Sequence, residues 1–143
     1  MQILKDYAMS FVGKPYLWGG NNPAFGADCS GFAQELLASA GIDPTGDQSA
    51  QGLFDYFSKN GAWNVYLCGS LAFYGKSVSE ITHVAMFVDP YRVIEAGGGD
   101  STTTTLQAAE KKGASVRIRL YDARKDTVAV VRPYYTRIGV GRV

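Results

Sequence analysis

The apolar pattern of the chain changes period halfway along, and this change limits the possible folds more than any other feature. Up to about Asn60, apolar residues recur at helical spacing; beyond it come short β-rich runs bounded by turn residues. From Gln2 to Phe11, the residues Ile3, Leu4, Tyr7, Ala8 and Phe11 share a helical face, and Gly13 and Pro15 stop the helix. The stretch from Gly13 to Gly26 is rich in Gly, Pro and Asn and reads as a structured loop. Asp28 can cap a second helix, with Phe32, Ala33, Leu36, Leu37 and Ala40 on one face and Gly41 as the stop. A third helix is expected from about Ser49 to Asn60, with Leu53, Phe54 and Phe57 inward and Gly61 ending it. The runs "CGSLAFYG", "THVAMFV", "RVIEA", "SVRIRLY" and "TVAVVRP" then read as strands, and a short helix fits between Thr104 and Lys112. Helices first and strands second predict an α+β fold, with N-terminal helices packed on an antiparallel sheet of about five strands.

A chain of 143 residues without an internal repeat or linker is expected to form a single domain over 1–143. The tail after about residue 134 shows no such pattern, and "GVGRV" is expected to be disordered. The formal net charge is +1 and there is no basic tract, so no nucleic-acid partner is expected. No apolar run approaches the ~20 residues of a membrane span. Lys5 and Asp6 stand where a signal peptide would be apolar, so no secretory signal is expected.

Two cysteines, Cys29 and Cys68, make neither a zinc-type spacing nor a disulfide framework. Cys29 sits in "GADCSGF", among small and polar residues at a predicted helix entrance. The positive end of a helix favours an anion there, and Ser30 and Gly31 leave room for a substrate to approach. This suits a nucleophile; the plainer alternative is a small buried hydrophobe, the usual fate of a free cysteine. His83, the only histidine, lies in the strand "ITHVAMFVDP". His83, Ala85 and Phe87 share one face and Val84, Met86 and Val88 the other, so the strand should be central. A lone histidine in such a strand is more often a packed core residue than a catalyst. The candidate thiol at Cys29 raises the second reading, because a Cys–His pair needs a base near the sulfur and a third group to orient the ring.

Glu95, twelve residues on, lies in the otherwise apolar "VIEAGGGD". Buried without a partner, a carboxylate there is unfavourable, so it is either exposed or paired, and His83 is a natural partner. Asp28, Cys29, His83 and Glu95 could all ligate zinc, but these residues lack the close spacing of a metal motif. If His83 and Glu95 belong to one hairpin, their side chains share a sheet face only when the loop has an odd number of residues or a bulge intervenes. Asp89-Pro90-Tyr91, with Val88 opposite Arg92, is such a loop.

The order "GKPYLWGG", "DCSGF", "THVAMF" and then a polar residue twelve after the histidine resembles the NlpC-type cell-wall peptidases. The resemblance runs from roughly Ile3 to Pro133 and implies a papain-like α+β fold. It implies that Cys29 is the nucleophile, His83 the general base and Glu95 the residue that orients the imidazole. Members usually carry His, Asn or Gln at that third position, so glutamate is a departure. The resemblance also places the Tyr16 hydroxyl near the nucleophile, where it could serve the oxyanion. The implied partner is the peptide stem of peptidoglycan, cut between γ-linked D-glutamate and a diamino acid, with no cofactor; oligomeric state is left open. A chain of this kind would suit a phage lysis or tail enzyme, or an effector delivered by a secretion system. The alternatives kept are an amidase or an acyl- or transpeptidyl transferase on the same fold, and a non-catalytic tail or binding component.

Overall fold

Three helices begin at a residue whose side chain satisfies a free backbone N–H of the first turn. Asp28 accepts from the Gly31 N–H at 2.8 Å, Ser49 from Gly52 at 3.0 Å and Thr105 from Ala108 at 3.1 Å. In the computed structural model, which describes residues 1–135, these caps open α2 (Cys29–Ser39), α3 (Ala50–Phe57) and α4 (Leu106–Lys112). An uncapped α1 (Gln2–Met9) precedes them. The tail predicted to be disordered lies at 136–143, outside the described residues.

Between α1 and α2 the loop folds into a small antiparallel ribbon of β1 (Asn21–Asn22) and β2 (Gly26–Ala27). The remaining strands are β3 (Gly61–Trp63), β4 (Leu71–Gly75), β5 (Ile81–Phe87), β6 (Arg92–Gly97), β7 (Ser115–Leu120) and β8 (Thr127–Pro133). They form one antiparallel sheet in the order β3-β8-β4-β5-β6-β7. The α+β architecture is therefore as expected, with six strands in the main sheet rather than about five. The additional edge strand, β3, has three residues, too few to show alternation, and it pairs at the edge with β8.

The strand carrying His83 is central, between β4 and β6. Val84 and Met86 face the helix side, in a core that includes Phe32, Leu36 and Leu37 of α2 and Leu53, Phe54 and Phe57 of α3. Phe54 meets Phe73 edge-on, with ring centroids 5.4 Å apart. Ala85 and Phe87 enter a second, smaller core with Ala72, Tyr74, Val93 and Val130, covered by Tyr121. Burial on both faces explains why this strand reads as continuously apolar.

Candidate active site

Cys29 is the first residue of α2, and the packing around it explains the small residues that follow. Asp28 ties two segments together: one carboxylate oxygen caps Gly31, and the other accepts from the Gly19 N–H at 3.0 Å. The cap is made at Gly31, and the first N–H groups of a helix have no partner within it, so Cys29 stands at the end of α2 where an anion is favoured. A side chain at Gly31 would overlap the Gly20 carbonyl oxygen and reach 3.0 Å from the Asn21 Cα, both backbone atoms of the loop that runs past the helix entrance. Gly31→Ala is therefore expected to destabilise the protein by about 1–3 kcal/mol, measured by denaturant unfolding. A neutral result would mean that the loop is free to move away.

The β5–β6 hairpin has the odd loop. Met86 pairs with Ile94 and Phe87 with Val93, and the Val88 N–H donates to the Arg92 carbonyl at 2.9 Å. Asp89-Pro90-Tyr91 is left as the turn, held by the Asp89 carboxylate accepting from the N–H groups of Tyr91 and Arg92, both at 2.8 Å. Paired residue numbers thus share parity, and His83 and Glu95 lie on one face. His83 Nε2 stands 2.7 Å from Glu95 Oε1, with both residues buried. This bond occupies Nε2, so Nδ1 is the ring nitrogen left for the thiol.

Burial alone would keep the His83 imidazole neutral; its interactions with Cys29 and Glu95 outweigh burial and raise its pKa above the ordinary histidine value. Burial likewise opposes the Glu95 charge, but His83 and Arg119 override it and hold the carboxyl down at about 2, from an ordinary 4.5. The signs of the stability effects follow. The depressed Glu95 contributes stability present above pH 4.5 and lost as the pH falls toward about 2. The raised His83 contributes stability present below its ordinary value of 6.5 and lost as the pH rises through its higher folded value. The melting temperature should therefore fall between pH 4.5 and about 2 more steeply than in Glu95→Gln, as calorimetry across that range would show. Parallel curves would mean that Glu95 is not held ionised by the fold.

Sequence reasoning missed the partners of Glu95 on β7. Arg119 Nη2 donates to Oε1 at 2.9 Å and Arg119 Nε lies 2.7 Å from Oε2; Arg117 Nε donates to Oε2 at 3.1 Å. The register places Glu95 opposite Arg117 and Val93 opposite Arg119, so both arginines point to the Glu95 face. Gly97 makes room for them, since a Cβ there would stand 2.6 Å from Glu95 Oε2 and 3.0 Å from Arg117 Nη2. Gly99 similarly lies against the ring of Tyr16. The spaces needed at Gly97 and Gly99 account for two glycines of the "GGGD" run. Gln34 was missed as well: buried in α2, it accepts from the Gln48 N–H and donates to the Gly46 carbonyl, both at 3.0 Å, and so fixes the loop leading to α3.

These elements enclose a cleft of about 1100 Å³ lined by Tyr16, Cys29, His83 and Glu95, among others. Tyr16 is buried beside the site; burial first, then the charges of Cys29, Asp28 and Asp100, push its pKa well up, so its hydroxyl remains a proton donor. Cys68 lies elsewhere, in the turn before β4, and burial raises its pKa. Among the described residues, no three or more of His, Cys, Asp and Glu converge as metal ligands would, and no helix is long and apolar enough to cross a membrane.

The chain is similar in sequence and fold to known proteins. The family model for the NlpC/P60 family matches residues 13–120. The bifunctional muramidase/DL-endopeptidase CwlT of Bacillus subtilis is 37% identical over 97 residues, a match covering 66% of this chain and 28% of that protein. The chain thus spans well under half the length of that relative. The NlpC/p60 domain of the peptidoglycan hydrolase SagA superposes with a TM-score of 0.63 at 26% identity, covering 90% of this chain and 94% of that one. RipD of Mycobacterium tuberculosis, a non-catalytic NlpC/p60 domain protein adapted to peptidoglycan binding, superposes with a TM-score of 0.63 at 20% identity, covering 92% and 95%.

Proposed function

The chain belongs to the NlpC/P60 family, and on that premise we propose that it is a cysteine endopeptidase of peptidoglycan stem peptides. The observation that carries this reading is the His83 imidazole, held by Glu95 at 2.7 Å on Nε2 and interacting with Cys29. In this mechanism the Cys29 thiolate attacks the amide carbonyl and a tetrahedral oxyanion forms. The Cys29 N–H and the protonated Tyr16 hydroxyl stabilise it. The His83 imidazolium protonates the departing amine, leaving a thioester on Cys29. Neutral His83 then takes a proton from water, which attacks the thioester and releases the acid. Glu95 keeps the ring in place through both proton transfers.

The bond favoured is that between γ-linked D-glutamate and the diamino acid, on two supports: the family resemblance of the site residues and the similarity to CwlT, a DL-endopeptidase. Digestion of purified peptidoglycan, with mass analysis of the fragments, tests it. New amino termini on the diamino acid are expected. Products joined to a second amine would assign a transferase instead. Binding without cleavage would assign the chain a role like that of RipD.

A further inference from the structure

Glutamate at the orienting position poses an electrostatic problem. A buried carboxylate compensated only by the imidazole would hold His83 as imidazolium, yet the reaction requires the ring to give up its proton and later to accept one. We propose that Arg119, assisted by Arg117, is a positioning residue that acts on His83 through Glu95. The two guanidiniums share the carboxylate's charge and thereby limit how strongly His83 keeps its proton. This inference rests on the reading of Cys29, His83 and Glu95 as one acyl-transfer unit.

The geometry supports it atom by atom. Oε1 is shared between His83 Nε2 at 2.7 Å and Arg119 Nη2 at 2.9 Å. Oε2 is shared between Arg119 Nε at 2.7 Å and Arg117 Nε at 3.1 Å. Arg119 thus approaches both oxygens, with one hydrogen bond from Nη2 to Oε1 and a close charge contact, without hydrogen-bond geometry, between Nε and Oε2. The Glu95 side chain is wholly buried, that of Arg119 is 20% exposed and that of Arg117 42% exposed, so Arg119 should have the larger effect. The remaining charged and titratable neighbours have partners of their own or lie on the far side of the ring. Arg124 is paired with Asp126 at 2.7 Å. Arg124 and Arg119 lie 5.0 and 5.9 Å from the ring centre of Tyr74, whose hydroxyl donates to the Tyr121 carbonyl. Cys29 faces the imidazole from α2. The arrangement explains how a buried carboxylate can serve at this position: the neighbouring strand supplies cations that share its charge.

The single histidine makes a direct test practicable. In Cys29→Ala protein with labelled histidine, the imidazole of His83 is titrated by NMR. Relative to that parent, Arg119→Gln should raise the His83 pKa by about one unit. Arg119→Lys, which keeps a cation, should raise it less, and Glu95→Gln should lower it. An arginine with a purely structural role would lower the melting temperature and leave the titration unmoved. Should Arg119→Gln fail to fold, the more exposed Arg117→Gln should still shift the titration upward, by less. An unmoved or lowered His83 titration in the folded arginine variant overturns the proposal. The readout does not depend on turnover, so an enzyme inert toward peptidoglycan would end the functional reading and leave this inference testable.

Discussion

Cys29→Ala is expected to abolish cleavage of stem peptides, with a loss on the order of 10⁴-fold or more in kcat/KM. Without the thiol there is no thioester, and His83 and Glu95 have no nucleophile to serve. The fold should survive: Cys29 is only partly buried at the edge of the helix-side core, and α2 is held by the Asp28 cap and by Phe32, Leu36 and Leu37. Circular dichroism and melting temperature should therefore stay close to the parent. Cys68→Ser should be nearly silent, because His83, the chain's only histidine, is committed to the site with Cys29. A Cys29→Ala protein that still cleaves at the parental rate would remove Cys29 from the mechanism, and a large loss in a folded Cys68→Ser protein would implicate Cys68 instead.

Glu95→Ala carries the second large effect, on activity and stability together. Activity should fall about a hundredfold or more, because the imidazole loses the group that holds its orientation. Stability should fall by on the order of 2–3 kcal/mol, since Arg119 and Arg117 lose their carboxylate. The figure is set below that for a fully buried pair because Arg117 is 42% exposed and can turn to solvent. Glu95→Gln should retain more activity, since an amide oxygen can still accept from His83 Nε2. It should nevertheless lose stability, because its amide nitrogen would face a guanidinium. Steady-state kinetics and denaturant unfolding on the two variants decide the matter. Equal activity in both would show that the carboxylate does not orient the base.

Local signals made much of this architecture legible. Asp28 before "CSGF" marks a capped helix, and the structure starts α2 at Cys29. A shared face for His83 and Glu95 requires an odd loop or a bulge between their strands, and the structure has the odd loop Asp89-Pro90-Tyr91. What remained hidden depended on distant pairings. Arg117 and Arg119 are 22 and 24 residues from Glu95, and their register is set across a segment containing the glycine run and α4. No local pattern fixes that register, so the pairing of the two arginines with Glu95 is not legible in the sequence. Likewise, β3 and the β1–β2 ribbon are two or three residues long and form because partners are nearby, not because their own sequences prefer extended backbone. Gly97 and Gly99 look like generic loop punctuation until the atoms crowding them are known, and Gly31, read as room for a substrate, is small because the backbone of Gly20 and Asn21 packs against it.

In the proposed mechanism Cys29 forms a covalent acyl-enzyme with His83 as its proton carrier. The most direct measurement is intact-protein mass spectrometry after mixing with a purified stem peptide and quenching in acid within the first turnover. The account predicts a mass increase equal to the acyl half of the peptide, located by digestion on the fragment containing Cys29, with the amine half free in solution. Cleavage products accumulating with no adduct on Cys29 at any quench time, and unchanged in Cys29→Ala, would contradict it.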